Sequence, residues 1–118
     1  MSLIDTSVLI DNTRRGVYEE GAMSIITPIE VLMGLASEKR IRAKELLERS
    51  YKAIYLDNKV ILKYCELYNE LKKRGILIPD ADLLIAATAL TNNMVLITKD
   101  RDFERLKDVG LRLELRTR

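Results

Sequence analysis

Short apolar runs alternate along the whole chain with longer stretches whose apolar residues recur at helical spacing, the pattern of an α/β domain built on a mostly parallel sheet. The runs that read as strands are Ser2 to Ile4, Met23 to Ile26, Ala53 to Leu56, Met94 to Thr98 and Leu111 to Leu115. Their shortness suits strands covered on both faces. Between them, Lys59 to Lys73 is predicted helical because Val60, Ile61, Tyr64, Leu67, Tyr68 and Leu71 share a face, with Gly75 as the stop. Thr27-Pro28-Ile29-Glu30 reads as a helix start: threonine caps, proline takes the first turn and glutamate sits three residues past the cap. Ser37 opens another helix to about Ser50, and Pro79-Asp80-Ala81-Asp82 leads into the apolar stretch Leu83 to Leu90, which predicts a deeply buried helix. With no repeat, linker or low-complexity segment, the chain reads as a single domain over residues 1–118.

Composition removes several kinds of chemistry. Histidine is absent, so Ser-His-Asp and Cys-His catalysis and histidine-ligated metals are excluded. The lone cysteine, Cys65, excludes an internal disulfide framework and a cysteine zinc cluster; its neighbours predict a buried helix position. Twenty basic residues against 18 acidic give a net charge of +2, so any nucleic-acid contact must come from local patches. Lys99 and Arg101 are the basic residues best placed for phosphate. No apolar run approaches a membrane span, and the start lacks a signal peptide's regions, which predicts a cytoplasmic protein with no membrane partner.

Acid–base or metal chemistry therefore falls to carboxylates, and their placement is informative. Asp5 follows the first strand, Glu30 lies just after the second, Asp82 opens the buried helix, and Asp100 follows the strand ending at Thr98. Sites in parallel α/β sheets gather at the C-terminal ends of strands. Four carboxylates sharing such an edge repel one another unless cations or raised pKa values relieve them. Mg²⁺ or Mn²⁺ answers that need, since these hard ions take oxygen ligands and are completed by water and phosphate oxygens. The expected reaction is hydrolysis of a phosphodiester, with Asp5 and Asp82 as principal ligands, Asp100 as a second or water-mediated ligand and Glu30 as ligand or water-orienting base. Thr6, Ser7, Thr98 and Asp102 are candidates to support them.

The segments Leu3-Ile4-Asp5-Thr6-Ser7-Val8-Leu9-Ile10-Asp11, Ile29-Glu30-Val31, Asp80-Ala81-Asp82-Leu83-Leu84-Ile85-Ala86-Ala87-Thr88-Ala89 and Leu96-Ile97-Thr98-Lys99-Asp100-Arg101-Asp102-Phe103 resemble, in order, the acidic motifs of PIN-domain nucleases of the VapC toxin group. The resemblance implies an α/β/α sandwich with a mostly parallel sheet of about five strands. It also implies a Mg²⁺- or Mn²⁺-dependent endoribonuclease acting on RNA, homodimerisation and inhibition by a VapB-type antitoxin. On that pattern Asp5, Glu30, Asp82 and Asp100 fill the four acidic positions.

Each acid also has a structural reading. Glu30 could complete the capping box begun by Thr27, and Asp80 is expected to cap the buried helix, leaving Asp82 free to face a pocket. Either Asp100 or Asp102 could cap a short helix beginning near Phe103, and Asp5 could cap the helix that follows it. Tyr51, Tyr55, Tyr64 and Tyr68 read as core or interface residues, and Tyr18 as exposed. Rival functions are a PIN fold kept as a binding or assembly module and an RNA-processing nuclease that is not a toxin. A phosphoacceptor domain using Asp57, Thr98 and Lys99 fails because Thr6 and Ser7 stand where a second acid should follow Asp5.

Overall fold

The computed structural model describes residues 1–116. In chain order it contains β1 (Ser2–Ile4), α1 (Thr6–Arg14), β2 (Ala22–Ser24), α2 (Ile26–Met33), α3 (Ser37–Ser50), β3 (Lys52–Ile54), α4 (Asn58–Lys73), α5 (Asp80–Thr91), β4 (Val95–Thr98), a 3-10 segment (Arg101–Val109) and β5 (Leu113–Leu115). The strands form one sheet in the order β3-β2-β1-β4-β5, and every pairing is parallel. All five predicted strands are present. Their edges shift by up to two residues, because β2 starts at Ala22 and Ile26 already belongs to α2.

Strand alternation divides the core into two layers. Leu3 lies opposite Ala22 and Leu96, and this row faces α4, α5 and the 3-10 segment through Val60, Leu67, Leu71, Leu83, Phe103 and Leu106. Ile4 lies opposite Ile97, and with Met23 it packs against Val8 and Leu9 of α1, Val31 of α2 and Leu47 of α3. The result is an α/β/α sandwich. Five residues of α5 after its first turn are at most 1% exposed, among them Ala86, Ala87 and Ala89, whose small side chains let this helix lie close under the sheet. By contrast α3 has no fully buried residue; Arg40 from its first turn donates to the carbonyls of Leu32 and Leu35, satisfying the open end of α2.

Helix ends show where local signals held and where tertiary contacts overrode them. Asp57 caps α4, its carboxylate accepting the Val60 N–H at 3.0 Å, which gives that aspartate a structural role. Gly75, at φ +70°, ends α4 with the Gly75 N–H on Lys72 O and the Ile76 N–H on Leu71 O, a Schellman closure. The capping box predicted at Thr27 does not form: α2 begins at Ile26, Ser24 Oγ accepts the Ile26 N–H at 3.1 Å, and Thr27 lies buried inside the helix. Asp80 does not cap α5 either. Pro79 takes that position, and Asp80 Oδ1 instead accepts the Tyr64 hydroxyl at 2.7 Å.

Cys65 is exposed, contrary to the expectation of burial. The buried stripe of α4 runs through Val60, Leu67 and Leu71, and it turns Ile61, Leu62, Cys65 and Tyr68 outward. Among the tyrosines, Tyr51 is buried and Tyr18 exposed as expected, while Tyr55 stands open. No helix among the described residues is long and apolar enough to cross a membrane.

Since Leu67 is 3% exposed and Leu77 85% exposed, truncating the two leucines should have unequal effects. Leu67→Ala is expected to cost about 3 kcal/mol and Leu77→Ala no more than about 0.5 kcal/mol in urea unfolding. Equal costs would show that α4 packs through a different face.

Candidate active site

The site begins at a buried charge. Asp5 is 4% exposed, and its N–H still bonds Ile97 O at 2.9 Å, so the β1–β4 ladder carries it to the C-terminal end of the sheet's middle strand. It holds the N-cap position of α1, yet its side chain makes no cap bond. Instead Asp5 Oδ2 accepts the hydroxyls of Ser7 at 2.8 Å and Thr98 at 2.7 Å. Those hydroxyls are fixed in turn: Ser7 Oγ accepts the Lys99 N–H and Thr98 Oγ1 the Asp100 N–H. Hydrogen bonds to an ionised group offset part of its desolvation, which lets Asp5 stay buried.

Glu30 and Asp100 are anchored in the same way, by one oxygen each. Thr6 Oγ1, 3.0 Å from Thr27 Oγ1, donates to Glu30 Oε1 at 2.6 Å. That contact turns Glu30 towards α1 and explains why it does not reach back to a cap. Asp100 Oδ1 accepts the Asp102 N–H at 2.9 Å, making Asp100 the cap of the 3-10 segment. Asp5 Oδ1, Glu30 Oε2 and Asp100 Oδ2 remain for a ligand. Asp102 is exposed, and its carboxylate lies 3.9 Å from Arg105.

Asp82, on the first turn of α5, completes the group. Its pKa is pushed up to about 6, first by burial and then by the charges of Asp5, Asp100, Glu30 and Asp102. The four acids singled out in the sequence therefore stand within electrostatic reach of one another at one edge of the sheet. Asp80 is held outward by Tyr64, whose own pKa rises to about 12 chiefly through that hydrogen bond.

This chemistry fits a hard divalent cation. The donors are carboxylate oxygens alone, all four acids keep at least one oxygen uncommitted, and the part of the Asp82 shift that comes from its acidic neighbours is what a cation relieves. Among the described residues no group of three or more such side chains is drawn close enough, as placed, to hold a metal ion.

A five-stranded parallel α/β/α sandwich with acids at these strand ends is the arrangement of a PIN domain. The family model described as PIN domain matches residues 2–109, and the chain belongs to that family. Within it, the chain groups with the VapC ribonucleases. It is 42% identical to ribonuclease VapC1 of Methanocaldococcus jannaschii, covering 94% of this chain and 85% of that protein. It is 39% identical to ribonuclease VapC1 of Haemophilus influenzae over 74% of this chain and 69% of the relative. The solved structure of VapBC-1 from nontypeable Haemophilus influenzae superposes with a TM-score of 0.80 at 31% identity, over 97% of this chain and 96% of that one.

Sequence reasoning named the acids and the flanking hydroxyls of Thr6, Ser7 and Thr98, but it missed Thr27, buried beside Thr6. Its side chain had been assigned to the helix cap, and only the packing of α1 against α2 shows its place.

Because the folded-state pKa of Asp82 lies above the ordinary value of 3.8, its contribution to stability is fully present below about pH 4 and is lost as pH rises through about 6. Asp82→Asn should therefore stabilise the metal-free protein by about 1 kcal/mol near neutral pH, a figure discounted for the partial exposure of the group, and change little near pH 4. Urea unfolding in EDTA at several pH values checks this; a pH-independent difference would show that ionisation of the buried Asp82 carboxyl is not the cause.

Proposed function

We propose that residues 1–118 form a single PIN domain acting as a Mg²⁺- or Mn²⁺-dependent endoribonuclease, the cytoplasmic toxin of a VapBC-type toxin–antitoxin pair. The observation that carries the reading is the set of four acids at one sheet edge, three of them anchored by one oxygen and open at the other. Asp5, Glu30, Asp82 and Asp100 would hold the cation. When bound, it supplies an activated water and neutralises charge on the phosphodiester.

The chain's own contribution is placement and proton handling. Asp5 is locked by Ser7 and Thr98, so the ligand site is set before RNA arrives, with little left to reorganise during reaction. Glu30, fixed through Oε1, presents Oε2 to orient the attacking water and accept its proton. Hydrolysis then proceeds in one displacement by the attacking water.

A VapB-type antitoxin is the proposed protein partner. An apolar groove of about 670 Å³ runs between α1, α2 and α3, lined by Leu9, Val17, Val31, Leu35 and Leu47 and reaching Glu30. A segment lying there would meet Glu30 directly. Homodimerisation is supported by the outward Ile61, Leu62 and Tyr68 of α4, which are 46%, 70% and 45% exposed.

Incubation with mixed cellular RNA should yield discrete fragments with Mg²⁺ or Mn²⁺ and none in EDTA. Asp5→Asn and Asp82→Asn are each expected to lower the rate at least about a hundredfold while melting as folded proteins. Undiminished cleavage by either variant would falsify the assignment of the site. Light scattering should give a dimer, and Leu62→Glu a monomer; a monomer at all concentrations of the parent would remove the dimer.

A further inference from the structure

A second cavity, of about 310 Å³, opens on the other side of α1 from the apolar groove, over the ends of β4 and β5. Its charged and polar lining is Asp11, Asn12, Arg15, Lys99 and Arg116. The site described above uses none of these side chains.

The charges divide into two groups. Arg116 is satisfied, since its Nη1 donates to Glu19 Oε1 at 2.7 Å and its other guanidinium nitrogens reach Glu19 and Glu114. Arg15 and Lys99 share a single anion: Asp11 Oδ2 lies 3.5 Å from Arg15 and Oδ1 lies 3.6 Å from Lys99. Both separations exceed the usual N–H···O range, and the groups keep 57%, 30% and 25% of their side-chain surface, so the pairs are weak and readily exchanged. Two cations facing one loosely held carboxylate leave an excess positive charge in a concave, partly apolar recess.

Position links this recess to the acids. The Lys99 N–H bonds Ser7 Oγ at 3.2 Å, and Ser7 Oγ is 2.8 Å from Asp5 Oδ2, so Lys99 is fixed one residue from the acidic edge. A polyanion crossing that edge passes the cavity mouth. We propose that the cavity binds a backbone phosphate of the RNA substrate flanking the one cleaved, with Lys99 and Arg15 as its ligands and Asp11 as the anion it displaces. The inference rests on the ribonuclease reading and adds where the strand lies.

Asp11 gives the proposal a distinctive consequence. As a placeholder it competes with phosphate, so its removal should strengthen RNA binding; as a purely structural partner its removal should not.

The test uses the full chain carrying Asp5→Asn, so that binding is read without cleavage. Anisotropy of a labelled single-stranded RNA is followed over a KCl series at fixed Mg²⁺. The double variant Arg15→Gln/Lys99→Gln should flatten the slope of log affinity against log salt by about 0.7, the loss of one phosphate contact, and each single variant by less. Lys63→Gln, on α4 and paired with Glu66, should leave the slope unchanged, and Asp11→Asn should tighten binding about threefold at low salt. Slopes identical to the parent, or weaker binding by Asp11→Asn, overturn the proposal. So does retained RNA binding alongside loss of a poly-glutamate probe in the same variants, which assigns the cavity to an acidic protein segment. If neither this parent nor the unsubstituted chain binds or cuts RNA, the ribonuclease reading fails and the subsite falls with it.

Discussion

Everything at the acidic edge depends on keeping one carboxylate charged while it is almost wholly buried. Asp5 stands at the end of the sheet's middle strand with 4% of its surface exposed. An unpaired charge there would cost several kcal/mol. Two hydroxyls offset that cost, and one of them, Thr98, lies 93 residues away in sequence. The contact exists only because β1 and β4 are parallel neighbours in a register that aligns Ile4 with Ile97. A slip of β4 by one residue would reverse its faces, removing Thr98 from Asp5 and Ile97 from the core. Packing and site thus enforce the same register.

The electrostatics run against stability in the metal-free protein. Folding buries Asp82 and brings it, with Glu30 and Asp100, towards a carboxylate that is already fixed, and Asp82, the least anchored, responds to that burial and crowding with a raised pKa. Its position on the first turn of α5 offers some compensation, since the helix dipole favours negative charge there. The hydroxyl anchors of Asp5 and Glu30 point their remaining oxygens without adding charge. Ammonium or guanidinium groups would have neutralised the acids outright and removed their demand for a cation.

Periodicity made the sheet and the long helices legible because burial on both faces leaves short apolar runs, and α4 and α5 are long enough for their faces to count. The strand-end acids were legible for a related reason: carboxylates immediately after buried strands are costly without a partner. What escaped was set by contacts distant in sequence. Thr27 and Glu30 have the spacing of a capping box, but Thr6 offers Glu30 a shorter hydrogen bond and Ser24 satisfies the Ile26 N–H. Cys65 was misplaced because α4 carries apolar residues on more than one face, and composition does not say which face meets the sheet. Asp80 looked like a cap until Tyr64, 16 residues earlier, claimed its carboxylate.

The triplet Asp5-Thr6-Ser7 illustrates how few residues such a site needs. As α1 begins, successive side chains diverge by about 100°. Thr6 therefore turns towards α2 and reaches Glu30, whereas Ser7 turns towards the end of β4, where it bonds Asp5 and holds the Lys99 amide. Adjacent hydroxyls thus fix acids belonging to different elements, and one helical start sets the spacing between them. Alanine at Thr6 would leave Asp5 in place and free Glu30; alanine at Ser7 would loosen Asp5 and the Lys99 amide together. The two neighbours are therefore unequal in reach: Thr6 governs a single carboxylate, and Ser7 couples the acidic edge to the basic recess beside it.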